Sequence, residues 1–256
     1  MSGYQSGALL DELGADLREA TEAATLVGKP AKVTKAPLTT TMQITVNIYD
    51  IETGGLPEDQ IRSIVKPFDP KDVKHGNIKD PDKILAKIDE ARNNYYTDIL
   101  DRAALSALTG RVLAIGIMEV GGEFKIIAND DERLMIAEFW TLISNTPGKW
   151  VGFNSNKFDL PFLMRRSWAL NMKLPFLRKG RYWADELVDL RDLWQCGDYQ
   201  AEGSLEAICR SFGLGGKAGD GAEFAQLWAT DKPKATAYLK RDLELTEAVY
   251  RRLTAA

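Results

Sequence analysis

Two acidic residues, Asp50 and Glu52, lie near the end of a segment with the composition of a β-strand. Residues 42–52, MQITVNIYDIE, are rich in β-branched side chains and alternate with a period of two, so we predict a strand there. Both acids share the parity of Ile48 and therefore point toward the core with it. Two neighbouring carboxylates in a core resist ionisation, unless a cation lies between them.

Two further acids occur where a buried carboxylate is uncommon. Asp159 follows a predicted strand over residues 149–155, at the start of a predicted helix. Taken alone, Asp159 is better explained as a helix N-cap than as a ligand. Asp242 lies one helical turn after Tyr238, on the apolar face of a helix predicted over residues 234–253. For Asp242 alone, a hydrogen bond to a buried donor is the simpler explanation.

The four acids together share a chemistry that none of them indicates alone. Asp50, Glu52, Asp159 and Asp242 are hard oxygen ligands, which suit Mg²⁺ or Mn²⁺. Two such cations held about 3.5–4 Å apart form a clamp for phosphoryl chemistry. We therefore predict a site for two divalent cations, Mg²⁺ or Mn²⁺, which would also relieve the repulsion between the acids.

Charge and histidine content narrow the classes of function. The 256 residues include 33 Lys and Arg against 37 Asp and Glu, a net charge of −4. This balance argues against a broad, non-specific nucleic-acid binder, but not against a nuclease whose metal ions offset its acids. The single histidine, His75, excludes sites built on paired histidines and lies in a polar segment that predicts a solvated side chain. Phosphate-binding loops, dinucleotide fingerprints and nucleophile elbows do not occur in the sequence.

Cysteine content and hydropathy bear on the compartment. Cys196 and Cys209 fit neither a zinc spacing nor a disulfide framework, which favours an intracellular compartment. No apolar run approaches membrane-spanning length, and the first residues lack the pattern of a secretory signal. We expect a cytoplasmic protein without a membrane partner.

The elements that must position the acids follow one another along the chain. Residues 1–41 contain a weak amphipathic segment and a linker; we favour a poorly ordered tail, with a partner-docking helix as the alternative. Residues 42–256 then form one domain of the α/β class, a mixed sheet flanked by helices. Strands are predicted at residues 42–52, 110–120, 123–129 and 149–155, and helices at 84–108, 130–144, 158–172, 204–214 and 234–253.

Three motifs in this order resemble those of the DEDD superfamily of 3′–5′ exonucleases. They are D-x-E in YDIETGG (49–55), N-x-x-x-F-D in NSNKFDLP (154–161) and Y-x-x-x-D in YLKRD (238–242). The tyrosine spacing resembles the tyrosine subgroup, known as DEDDy, rather than the histidine subgroup. The chain is most similar to stand-alone domains related to the proofreading domains of family B polymerases, and GSLEAICRSFGLGGK (203–217) resembles their segment between the second and third motifs.

The resemblance implies a ribonuclease H-like fold and a reaction. The catalytic residues would be Asp50, Glu52, Asp159, Tyr238 and Asp242, with the four acids as ligands of two metals. Water oriented or deprotonated with help from Tyr238 would attack the terminal phosphodiester and release a 5′-nucleotide. The expected substrate is the 3′ end of single-stranded DNA. An RNA-trimming 3′–5′ exoribonuclease and a non-catalytic, ribonuclease H-like nucleic-acid-binding domain are the alternatives.

The resemblance also implies contacts with the substrate. Backbone groups of Thr53 and Gly54 would approach the terminal nucleotide. Leu56 and Phe158 would pack against bases, although ordinary core packing explains both equally well. Substrate contacts are also expected at Asn154, which opens the second motif, and at Lys217, for which a solvated loop lysine is the simpler explanation.

Two more segments carry predictions. Residues 57–110 are a helical insertion where a short link is usual in the family, so they would form a lid or a partner surface. A polymerase or replication partner would bind through residues 1–41 or 57–110. A cluster of acids is expected to be a solvated face: Asp185, Glu186, Asp189 and Asp192.

Overall fold

The central element is a five-stranded mixed sheet. The structure, a computed structural model, describes residues 45–175, 178–179, 182–216 and 221–255. The strands are β1 (Val46–Gly55), β2 (Gly110–Glu119), β3 (Phe124–Ile127), β4 (Lys149–Gly152) and β7 (Leu187–Asp189), in the order β3-β2-β1-β4-β7. Strand β1 pairs antiparallel with β2 and parallel with β4; β5 (Arg178–Lys179) and β6 (Tyr182–Trp183) form a separate hairpin. The predicted mixed sheet is confirmed.

Helices flank this sheet. Their bounds are α1 (Glu58–Ile64), α2 (Pro81–Asp101), α3 (Glu132–Asn145), α4 (Asp159–Ala169), α5 (Leu190–Gln195), α6 (Leu205–Ser211), α7 (Phe224–Thr230) and α8 (Lys232–Thr254). Strand β7 and helices α1, α5 and α7 are too short to show a clear hydrophobic period, and none of them was predicted from the sequence. Residues 1–44 and Lys217 lie outside the described residues, so the division at residue 41 stays a prediction.

Both faces of β1 are covered. Ile48 packs in one cluster with Leu243 of α8, and Tyr49 packs in another with Phe139 of α3 and Leu160 of α4. The expectation of one apolar face was therefore incomplete, because β1 is central and has helices on both sides. The predicted parity of Asp50 and Glu52 with Ile48 places both acids on the α8 side.

Strand β1 continues three residues beyond its predicted end. Thr53, Gly54 and Gly55 pair with the start of β2, after a β-bulge between Glu52 and Thr53. A bulge bends a strand and changes the direction of the side chains around it. Here it occurs directly after the second of the two acids.

The insertion between β1 and β2 returns to the end of β1. Helix α2 has no buried residue; it packs on the preceding loop, where the Tyr95 hydroxyl donates a hydrogen bond to the Lys66 carbonyl (2.6 Å). The turn after α2 accepts a hydrogen bond from the Thr53 hydroxyl through the carbonyl of Ala104 (2.7 Å). The amide of Leu56 donates to the carbonyl of Thr109 (2.8 Å). The insertion thus ends beside the first motif, while its role as a lid or partner surface stays a prediction.

A buried ion pair ties the helices to the sheet. Arg166 of α4 donates two hydrogen bonds to Glu132 of α3 (2.9 and 2.7 Å) and a third to the carbonyl of Ala107 (3.2 Å). Glu132 also accepts the amide of Val112 in β2 (2.8 Å). Because every partner is satisfied, this pair fixes the positions of α3, α4 and β2 relative to one another.

Candidate active site

Three carboxylates meet between β1 and α8. One oxygen each from Asp50, Glu52 and Asp242 lie within 4.8 Å of one another, and both Glu52 and Asp242 are buried. Helix α8 can approach β1 this closely because Gly116 lies opposite Asp50 in the neighbouring strand. A Cβ atom at Gly116 would lie 2.7–3.0 Å from the side chains of Leu239 and Leu243 on α8.

Asp159 lies beside Asp50. Its carboxylate accepts the amide of Ile51 (3.1 Å) and hydrogen-bonds the Asp50 side chain. The N-cap position of α4 is held by Phe158, so Asp159 is the first helical residue and not the cap. Burial raises the pKa of Asp159 to about 7, and the hydrogen bonds from Ile51 and Asp50 oppose that shift.

These donors fit a divalent cation. Carboxylate oxygens are the ligands that Mg²⁺ and Mn²⁺ take in proteins, and three of them converge here within a span that a single ion can bridge. A bound cation would also favour the ionised form of the buried acids, which burial alone disfavours.

Tyr238 lies beside the three carboxylates. It is only 4% exposed and packs against Phe224 with ring centroids 6.0 Å apart. Burial raises the pKa of its phenol, and the charges of Asp242, Glu52 and Asp50 raise it further. The hydroxyl therefore stays protonated at neutral pH and acts there as a hydrogen-bond donor.

The loop that carries the second motif is held by Asp189, which corrects one expectation. Asp189 is 3% exposed, and the prediction that it belongs to a solvated face is wrong. Its carboxylate accepts the backbone amides of Asn154 (2.8 Å), Asn156 (2.9 Å) and Arg191 (2.9 Å). Asp189 ends β7 just as Asp159 follows β4, at strand ends where side chains converge in α/β sheets. The other members of the predicted face, Asp185, Glu186 and Asp192, are exposed.

Tyr49 supports the same loop from within the core. It precedes Asp50, is 1% exposed, and its hydroxyl lies beside Ser155. Burial raises the pKa of Tyr49 well above its ordinary value, so the hydroxyl remains protonated. The sequence shows only an aromatic residue in a strand, which gives no sign of this role.

The predicted substrate-binding residues occupy different environments. Gly54 is buried, and a Cβ there would lie 2.7 Å from the end of the Leu113 side chain and 3.4 Å from Ala225, so any larger residue would have to displace Leu113. Thr53 and Leu56 are half-buried at the rim, and Asn154 adopts a positive φ of 60° in the second-motif loop. Phe158 is half-buried and packs against Phe162 with ring centroids 5.6 Å apart, as the core-packing alternative anticipates.

Comparison with known proteins assigns a family. Residues 105–256 match the model of a family described as predicted 3′–5′ exonucleases related to the exonuclease domain of PolB. The chain belongs to this family. The matched region contains the second and third motifs and begins after the first. The assignment supports 3′–5′ exonuclease activity, which is a hydrolase reaction. Domains of this kind use divalent metals, and the group of acids described above could bind one.

Two polymerases are similar to parts of the chain. DNA polymerase 2 of Aeropyrum pernix is 35% identical over 72 residues, which cover 27% of this chain and 9% of that protein. The structure of the family B DNA polymerase from Pyrobaculum calidifontis is similar to this one, with a TM-score of 0.54 and 17% sequence identity. The match covers 82% of this chain and 24% of the polymerase chain. The chain therefore spans less than a quarter of either polymerase. The structural match confirms the predicted ribonuclease H-like fold.

Proposed function

We propose that the protein is a metal-dependent 3′–5′ exonuclease that removes nucleotides from the 3′ end of single-stranded DNA, and that it is of the tyrosine type. The observation that carries the proposal is the convergence of Asp50, Glu52 and Asp242 beside Tyr238, in a member of an exonuclease family. Clustered, buried acids are costly to a fold that does not use them.

Among the described residues, no helix has the length and apolarity needed to cross a membrane.

In this proposal the four acids bind metal and Tyr238 donates a hydrogen bond. Asp50, Glu52, Asp159 and Asp242 would hold two divalent cations, Mg²⁺ or Mn²⁺, with Asp159 next to Asp50. Such cations supply the positive charge and Lewis acidity that phosphodiester hydrolysis requires. Tyr238, with its phenol protonated, would donate a hydrogen bond that orients the attacking water or a phosphate oxygen.

The experiment that tests the activity uses end-labelled single-stranded DNA and RNA of equal sequence. Each is incubated with Mg²⁺, with Mn²⁺ and with chelator, and the 5′-nucleotides released are resolved over time. The proposal predicts stepwise shortening of DNA from the 3′ end that needs metal. Faster shortening of RNA would favour the exoribonuclease alternative, and binding without any shortening would favour a non-catalytic domain.

Asp50→Ala links the activity to the carboxylates. This variant should release no measurable nucleotide yet remain folded, because it also relieves repulsion between buried acids. Asp130→Ala changes an exposed acid outside the group and serves as the control. Mn²⁺ should raise the Tm of the wild type and of Asp130→Ala by more than that of Asp50→Ala, since a ligand at 100 times its Kd stabilises a fold by about 2.7 kcal/mol. Activity of Asp50→Ala within a few-fold of the wild type would refute the assignment of Asp50 as a ligand.

A further inference from the structure

Arg111 lies beside the first motif, on the neighbouring strand. In the β1–β2 pairing it is opposite Gly54, which follows Glu52 by two residues, or about 7 Å of strand. A Cβ at Gly54 would meet Leu113 and Ala225 of α7, so this face of the sheet is the one covered by α7 and α8. Strand alternation gives Arg111 the same face as Leu113. Arg111 therefore borders the carboxylates on their own side of the sheet.

The guanidinium of Arg111 lacks a protein partner in the part of the chain that the structure describes. The residue is half-buried, and its Nε atom is buried without a hydrogen bond. Arg191 also has a buried Nε without a hydrogen bond, but it lies at the start of α5 and not beside the carboxylates. In Arg166, by contrast, each guanidinium nitrogen is hydrogen-bonded, to Glu132 or to the carbonyl of Ala107. A buried donor left unsatisfied destabilises a fold, so Arg111 carries a cost that a bound acceptor would remove.

An anion that arrives with the substrate would supply the missing acceptor of Arg111. A guanidinium is always charged, and its planar fork matches the oxygens of a phosphate. The neighbouring acids are the candidate ligands of the cations, which leaves Arg111 as a positive group at the edge of an acidic site. A negatively charged strand that enters this site needs such a group.

We propose that Arg111 binds a phosphate of the substrate strand next to its 3′ end. This inference rests on the proposed function, since it assumes that a nucleic-acid strand enters the site between β1 and α8. Arg111 would bind and position the substrate strand, while the carboxylates and Tyr238 would take part in the hydrolysis.

The test compares Arg111→Gln and Arg111→Lys with the wild type, and Arg251→Gln is the control. Arg251 is an exposed arginine on α8 that is paired with Glu247. Binding of a fluorescent single-stranded DNA is measured by anisotropy in chelator over a series of salt concentrations, and KM and kcat are measured with metal. The thermal stability of all four proteins is measured in parallel.

Arg111→Gln should weaken binding about 10–100-fold, the value of a hydrogen bond to a charged group. It should reduce the slope of log K against log salt by about 0.7, the share of one phosphate contact on a single strand. KM should rise with little change in kcat, Arg111→Lys should recover part of the affinity, and Tm should stay the same or rise. Arg251→Gln should match the wild type.

Two results would overturn the inference. One is an Arg111→Gln variant with the affinity and salt slope of the wild type. The other is a lower Tm in both Arg111 variants that accompanies their loss of binding, which would make the residue a structural one. A failure of the proposed function gives a different result, because a wild type that binds DNA but releases no nucleotide still reports the Arg111 contact in chelator.

Discussion

Removal of a single oxygen atom tests what Tyr238 does. Tyr238→Phe keeps the ring, and with it the contact to Phe224, so folding and metal binding should survive. Loss of a positioned acid–base or orienting group costs about 10²–10⁴ in rate. Burial raises the pKa of Tyr238 above that of a free phenol, which disfavours the phenolate as a base near neutral pH and points to the lower end. We therefore expect kcat to fall about 100-fold, or about 2.7 kcal/mol in activation free energy.

The assay is single-turnover release of the 3′ nucleotide from a short labelled DNA with saturating metal. Tyr250→Phe is the matched control, because Tyr250 is a half-buried tyrosine on the same helix outside the acidic group. The rate ratio between wild type and Tyr238→Phe should stay constant from pH 6 to 9, since the hydroxyl is protonated throughout. A ratio that grows tenfold per pH unit would show a phenolate base, and full activity of Tyr238→Phe would remove the residue from the mechanism. Either result would refute this reasoning.

Three other changes have expected outcomes. Arg166→Met should lower the free energy of unfolding, measured by urea titration, by about 3–5 kcal/mol, because the charge of Glu132 is left buried without a partner. Adding Glu132→Leu to this variant should recover most of the lost stability. Asp189→Ala should leave three backbone amides without their acceptor and so abolish the rise in Tm that Mn²⁺ causes. A rise equal to that of the wild type would mean that the second-motif loop does not need the Asp189 carboxylate. In chelator, stability should fall as pH rises from about 4 to about 7, because the folded state holds the Asp159 proton that the unfolded chain has already released. Asp159→Asn should flatten this fall in a pH series of melting curves, and an unchanged slope would contradict it.

The sequence predicted the frame of the site well, because strand parity and helical spacing are local properties. The parity of Asp50 and Glu52 and the spacing of Tyr238 and Asp242 each follow from a single element. The helices predicted over residues 130–144 and 234–253, and the strands predicted over 110–120 and 123–129, lie within about two residues of their observed bounds. The helix predicted over residues 84–108 ends seven residues earlier, at Asp101. That Asp50, Glu52, Tyr238 and Asp242 come together in the fold was inferred only from the chemistry that these residues share.

What the sequence could not show depends on contacts between distant segments. Asp189 reads as one acid among several until β7 is seen to pair with β4, which turns its carboxylate toward the second-motif loop. Arg111 reads as the first charged residue of a strand, and only the register with β1 places it opposite Gly54. Strand β7 has three residues, too few for a period to be recognised.

The site draws on β1 and on α8, the first strand and the last helix that the structure describes. A ribosome makes a chain from its N-terminus, and domains fold as units once their segments have emerged. Asp50 and Glu52 are therefore synthesised long before the helix that carries Tyr238 and Asp242. The nascent chain holds an incomplete set of the candidate ligands until α8 has packed against β1. Biosynthesis would thus delay the appearance of the proposed nuclease centre until the domain around it has formed.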